Sequence, residues 1–210
     1  MSGFVPVKNA IEALAQGKFV IIADDEGREN EGDLVIAAEF ADTAAINFCA
    51  RHGRGLICCA LDPAIVDRLG LKPMVPTEEN KSGFGTPFTI SVEARTGVST
   101  GISAPDRART VEVLINPESA AGDLVAPGHM FPLRAHPEGV LARGGQTEAS
   151  VDLAKLAGLR PGAVICEVMN DDGTMARRPE LEDFSAKHDI PITTTEAIRQ
   201  HILAVKAQAA

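Results

Sequence analysis

Six carboxylates fall within ten residues: Asp24, Asp25, Glu26, Glu29, Glu31 and Asp33, with Arg28 among them. Like charges this close repel one another, and a hard divalent cation such as magnesium is suited to clustered carboxylate oxygens. Gly27 and Gly32 allow the backbone to turn sharply inside the cluster. A solvated acidic loop is the plainer reading of such a run. The run has no low-complexity character, however, and it lies between two apolar, strand-like stretches at 19–22 and 34–36. That placement favours a functional loop on a rigid scaffold.

Other residues with chemical potential lie further along. The turn from Gly97 to Arg107 is rich in hydroxyls and glycine, and it leads into a helix. It suits an anion, or it is simply a well-capped helix start. His129 stands between turn formers in Pro127-Gly128-His129-Met130-Phe131-Pro132, as a proton carrier or as a structural residue. Arg143, Gly144 and Gly145 precede a helix that opens near Thr147, a second place for a phosphate to dock. Glu167 interrupts the otherwise apolar stretch Val164–Met169, so burial is expected of it, and a buried carboxylate is a candidate acid or base. The four cysteines, Cys49, Cys58, Cys59 and Cys166, show no CxxC spacing, which argues against structural zinc. Reduced, buried thiols are expected, with Cys58 and Cys59 on opposite faces of one strand and one of them free to face a site.

These residues need a scaffold, and periodicity supplies one. Val7, Ala10, Ile11 and Leu14 are spaced as a helix stopped by Gly17. Strands are predicted near 19–23, 34–38, 55–60, 88–92, 130–134, 139–142, 163–169 and 190–193. Helices are predicted over 43–51, 62–70, 147–157, 179–188 and 195–204, with another opening at the Ser103/Asp106 capping pair. Thr193 with Glu196 reads as a further cap, and Asn170-Asp171-Asp172-Gly173 as a tight turn. Residues 71–87 read as a long loop, functional or mobile, with Lys81–Gly85 resembling a lid. Strands and helices mixed throughout imply a layered α/β or α+β fold with a mixed sheet, as one domain over 1–210.

Composition narrows the possible partners. The 210 residues include 45% hydrophobic ones but neither Trp nor Tyr, so aliphatic side chains must build the core. A formal net charge of −9 argues against a nucleic-acid partner, but not against a small phosphorylated substrate. The first residues do not read as a signal peptide and no apolar run approaches the ~20 residues of a membrane span. A cytoplasmic protein with no membrane partner is expected.

Several motifs in order resemble the 3,4-dihydroxy-2-butanone 4-phosphate synthase family of riboflavin biosynthesis. They are Asp24–Asp33, Thr100-Gly101-Ile102-Ser103, Pro127–Arg134, Thr147–Leu153 and Asn170–Arg177, and the resemblance covers nearly the whole chain. It implies a three-layer α/β/α fold, a homodimer with active sites near the interface, and the single-function form. The implied reaction is a lyase step, D-ribulose 5-phosphate giving L-3,4-dihydroxy-2-butanone 4-phosphate and formate through metal-stabilised enediolate chemistry. It implies magnesium or manganese, two ions per active site. By the same resemblance Glu29 binds metal with Glu31 near it, and Asp33 holds substrate hydroxyls and moves protons. His129 and Glu167 form the proton-transfer pair, Arg143 and Thr147 clamp the phosphate, and Arg28, Thr100 and Cys58 adjoin the substrate. The chain departs from the family pattern at one functional position: Gln146 stands where the family has a metal-binding histidine. A Gln carbonyl is an acceptable magnesium ligand, so Gln146 is expected in the metal shell. The competing readings are another metal-dependent sugar-phosphate isomerase or aldolase, and a non-catalytic or impaired relative that binds a sugar phosphate.

Overall fold

Side chains alternate between the two faces of a strand, and in this chain both faces are apolar, so the sheet requires a helical layer on each side. The computed structural model describes residues 3–209. Its strands are β1 (Gly3–Phe4), β2 (Val20–Ala23), β3 (Gly32–Ala37), β4 (Cys58–Leu61), β5 (Val92–Ala94), β6 (Leu124–Arg134), β7 (Gly162–Glu167) and β8 (Pro191–Thr194). Its helices are α1 (Val7–Ala15), α2 (Thr43–Phe48), α3 (Pro63–Arg68), α4 (Ala104–Ile115), α5 (Gln146–Leu156), α6 (Arg178–His188) and α7 (Thr195–Ala209). The strands form one mixed sheet in the order β1-β8-β2-β3-β7-β4-β6-β5. Neighbours β1/β8, β8/β2 and β4/β6 run parallel, and the remaining pairs antiparallel.

Two apolar cores follow from the alternation. Ile21, Leu34, Cys59 and Val164 face a layer containing Ile46 of α2, Val66 of α3, Leu114 of α4 and Leu181 of α6. Val20, Val35, Cys58 and Ala163 face the other layer, with Leu14 of α1, Leu153 of α5 and Ile198 of α7. The result is the expected three-layer α/β/α arrangement. Cys58 and Cys59 do point to opposite faces. All four cysteines are free and buried.

Local signals place most of the elements. Asp62 caps α3, its carboxylate accepting from Ala64 N–H at 2.9 Å, with Pro63 in the first turn. Gly17, at φ +72°, ends α1. Four expectations need correction. The strand predicted at 88–92 lies at 92–94, because Phe88 and Thr89 make only isolated bridges across from Leu133 and Pro73. Residues 139–141 form a single 3₁₀ turn rather than a strand, since Asp152 of α5 accepts the Val140 N–H at 2.8 Å and curls the segment onto the helix. Thr194, not Thr193, caps α7, its hydroxyl accepting from Ala197 N–H at 3.0 Å. Ser103 does cap α4, its hydroxyl accepting from Asp106 N–H at 3.2 Å, but the Asp106 carboxylate mainly serves the preceding turn. It accepts from Ser99 N–H, Ser99 Oγ and Gly101 N–H at 2.7–3.0 Å.

Candidate active site

The acidic run is the connection between the antiparallel strands β2 and β3, and it is organised around its first residue. Asp24 is buried, and its carboxylate accepts the backbone N–H of Glu29 at 3.1 Å and of Glu31 at 2.9 Å. Arg28 Nη1 donates to the same carboxylate at 2.7 Å. Asp25 accepts from Gly27 N–H, and Asn30 adopts a left-handed conformation. From outside, Arg177 donates to the carbonyls of Glu29 and Asn30. Part of the expected charge repulsion is therefore relieved by the chain's own donors. Nothing in the local sequence separates Asp24 from Asp25; only burial does.

The loop borders a cavity of ≈320 Å³. Arg28, Glu29, Glu31 and Asp33 form one wall, Cys58, Leu133, Ile165 and Glu167 the sheet floor, Arg143, Gln146 and Thr147 the entry to α5, and Thr86 and Phe88 the end of the long loop. The sheet register makes the floor: Asp33 of β3 is the Cα partner of Glu167 of β7, so both carboxylates project from adjacent strands on the α5 side. Burial, followed by the charge of Glu167, pushes the Asp33 carboxyl well above its usual range. Burial also raises Glu167, as does the charge of Glu29, against a stabilising N–H from Leu56 at 2.8 Å. Gly55 allows this approach, because a Cβ there would stand 2.4 Å from Glu167 Oε2. Glu31 is raised by burial and by Glu29. Cys58, raised by burial and then by Glu167, is held as a neutral thiol.

The α5 side is built with equal economy. Glu148, fully buried, binds Arg143 Nη1 at 2.6 Å and the His136 N–H at 3.0 Å. Arg143 also donates to the Phe84 carbonyl at 3.2 Å, and the Arg28 guanidinium sits 4.9 Å over the Phe84 ring. Residues 71–87 are thus attached to both arginines. Gln146, at the first position of α5, accepts from Arg28 Nη1 through Oε1 at 2.9 Å.

Two of the singled-out residues lie elsewhere. His129 is exposed on β6, roughly 13 Å along the strand from Leu133 by strand rise, and it pairs through Nδ1 with Glu93. Thr100, also exposed, adjoins Gly101, which packs so closely on Glu93 that a Cβ would overlap its carboxylate. The expected anion seat at 97–107 is occupied by the chain's own Asp106. Glu93 and Arg177 were not singled out from sequence, because their roles come from contacts between distant segments. A larger cavity of ≈760 Å³, between 38–43 and α4, contains none of the singled-out residues.

The donor set around Glu29 fits a hard divalent cation: the cavity presents oxygen ligands whose charges repel one another. Among the described residues no three His, Cys, Asp or Glu groups form a complete protein-only ion site. Magnesium usually keeps several waters and takes oxygens from substrate, so it needs few protein ligands.

The sequence model of 3,4-dihydroxy-2-butanone 4-phosphate synthase matches residues 8–201. A protein of that name from Pseudomonas aeruginosa is 57% identical over 188 residues, covering 90% of this chain and 51% of the relative. The Cronobacter sakazakii protein of the same name is 49% identical over 195 residues, covering 93% of this chain and 89% of the relative. A solved 3,4-dihydroxy-2-butanone 4-phosphate synthase in complex with two magnesium ions superposes with a TM-score of 0.92 at 40% identity, over 97% of this chain and 99% of that one. The chain therefore spans about half the length of some curated relatives and nearly all of others. With the family model matched over residues 8–201 and relatives this similar in sequence and fold, the chain belongs to the 3,4-dihydroxy-2-butanone 4-phosphate synthase family.

Proposed function

We propose that this chain converts D-ribulose 5-phosphate into L-3,4-dihydroxy-2-butanone 4-phosphate and formate, in the cytoplasm. The observation that carries the reading is the Asp33–Glu167 pair, two carboxylates of raised pKa in one cavity with Glu29 on one side and Arg143 and Thr147 on the other. Removing a proton beside a carbonyl requires a base whose proton affinity lies near the working pH. Burial moves Glu167 in that direction, and Leu56 N–H fixes its orientation. Asp33, beside it, holds substrate hydroxyls and passes protons.

Arg143, braced by Glu148, and the Thr147 hydroxyl clamp the phosphate at the first turn of α5, where free backbone N–H groups favour an anion. Glu29, with Glu31 beside it, holds magnesium or manganese. A bound divalent cation, one or two per site, supplies an electrophile for the charge that develops on substrate oxygen. Arg28 ties the metal loop to the substrate side. Phe84, Thr86 and Phe88 close the cavity and exclude water from the reactive enediolate. Cys58 packs beneath the substrate as a neutral thiol.

His129 and Thr100 stand exposed on a corner away from this cavity, which supports a homodimer in which the second copy brings them to it. His129, oriented by Glu93, then serves as the proton-transfer partner of Glu167. An assay coupled to formate tests the whole reading. Formate is expected from ribulose 5-phosphate with magnesium, lost with chelator and regained when metal is restored. Isomerised sugar with no loss of carbon indicates an isomerase, and binding without turnover at saturating magnesium indicates a non-catalytic relative. Either result overturns the assignment.

A further inference from the structure

Gln146 occupies the family's metal-ligand position, but its amide is oriented for a different task. The residue is 5% exposed, with Oε1 accepting from Arg28 Nη1 at 2.9 Å. Nε2 is buried and has no hydrogen-bond partner. Chemistry fixes this orientation. A guanidinium has only donors, so rotating the amide by half a turn sets two N–H groups against each other. Arg28 is itself held in place: Nη1 also donates to buried Asp24 at 2.7 Å and lies 3.0 Å from Glu29 Oε2, with Phe84 beneath the guanidinium. The carbonyl that would ligate a cation therefore faces an arginine, and the side chain, which lines the cavity beside Thr147, carries a donor with no partner.

A buried N–H without an acceptor is costly, and its natural complement is an oxygen lone pair. We propose that Gln146 is a substrate-binding residue, donating from Nε2 to an oxygen of the bound sugar phosphate, and that it is not a metal ligand. This rests on the sugar-phosphate reading above. In this chain the metal is held by Glu29 and its carboxylate neighbours, and substrate recognition gains a neutral donor where an imidazole would have bound the ion.

Calorimetry on the full chain separates the two roles: magnesium titrated without sugar, and ribulose 5-phosphate titrated in chelator. Gln146→Met removes the donor at similar length and is expected to weaken metal-free sugar-phosphate binding by about five- to tenfold, one neutral hydrogen bond. Its magnesium affinity should stay within about twofold of wild type. Gln146→Glu keeps the acceptor for Arg28 but turns a carboxylate oxygen to the cavity, so sugar-phosphate binding should fall further while magnesium tightens. The Gln146 side-chain amide signal in ¹H–¹⁵N spectra, assigned by its loss in Gln146→Met, should shift with ribulose 5-phosphate in chelator and not with magnesium alone. A loss of magnesium affinity of about fivefold or more in Gln146→Met makes the residue a metal ligand and overturns the proposal. So does unchanged sugar-phosphate binding in both variants, or an amide signal that ribulose 5-phosphate leaves in place while it binds. If wild type binds no ribulose 5-phosphate, in chelator or with saturating magnesium, the sugar-phosphate reading itself falls and this inference falls with it.

Discussion

The cavity floor and the β5–β6 corner treat their carboxylates in opposite ways. At the floor and the loop wall beside it, Asp33, Glu167 and Glu31 are all raised, because burial and mutual repulsion disfavour their charge and few donors answer it. At the corner, Asp106 is lowered to about 2 by the Ser99 hydroxyl, the Ser99 N–H and the Gly101 N–H. One region stores unanswered charge, and the other has spent its donors on itself. Groups left electrostatically incomplete by a fold are candidates for chemistry, whereas groups fully answered are structural. His129 cuts across that division. It sits on the self-satisfied corner, paired with Glu93, yet it is exposed and oriented.

The sharpest way to break this contrast is to remove one member of each region. Glu167→Ala and His129→Ala are each expected to lower formate release by about 10²–10⁴-fold with circular dichroism unchanged. Activity within about threefold of wild type in either variant removes that residue from proton transfer. If the corner of one copy serves the cavity of another, mixing the two inactive variants should restore about a quarter of wild-type activity, since half of randomly mixed dimers then hold one intact site. No recovery places both groups in the same chain's site.

A smaller effect tests whether the metal loop is held in place by its own donors. Asp24→Asn disturbs the carboxylate that gathers Glu29 N–H, Glu31 N–H and Arg28. Magnesium affinity by calorimetry should fall by about 10–100-fold, as for other residues that orient a metal ligand. An unchanged affinity would mean that the loop is organised by metal alone.

Asp106 sharpens the comparison through pH. Its folded-state pKa lies below the unfolded value, so it contributes stability above about pH 4 that is lost as pH falls toward about 2. Asp106→Asn should lower the thermal midpoint near neutral pH, and the gap from wild type should close across that acid window. A gap that is constant with pH would mean that the carboxylate charge contributes nothing to the 99–101 turn.

Phe84→Ala carries the smallest expected effect. Losing the ring beneath Arg28 should raise the KM for ribulose 5-phosphate by about two- to fivefold, the range of an exposed cation–π contact, with little change in kcat. A comparable fall in kcat would instead assign Phe84 to organising the reacting groups.

Much of this protein was legible in its residues, because local rules act over a few positions. Asp62-Pro63 favours a helix start, Gly17 ends a helix, and the continuous apolar runs of Val20–Ala23 and Leu34–Ala37 require a sheet covered on both faces. The same locality explains the misreadings. Thr193 and Thr194 are equivalent as caps until the helix entry angle is known, and the 139–142 segment curls because Asp152, from α5, accepts its N–H. The chemistry was legible as an inventory: carboxylates, an anion seat, a histidine, an arginine before a helix. Their arrangement was not. Asp33 and Glu167 become neighbours only through the register of β3 on β7, and His129 is kept from them by the length of β6. The Gln146 carbonyl is engaged by an arginine on another loop. Sequence alone determined which groups this protein has and which elements carry them. Only tertiary structure decided which groups meet, because desolvation, mutual repulsion and the direction of a donor exist only once segments distant in the chain are packed together.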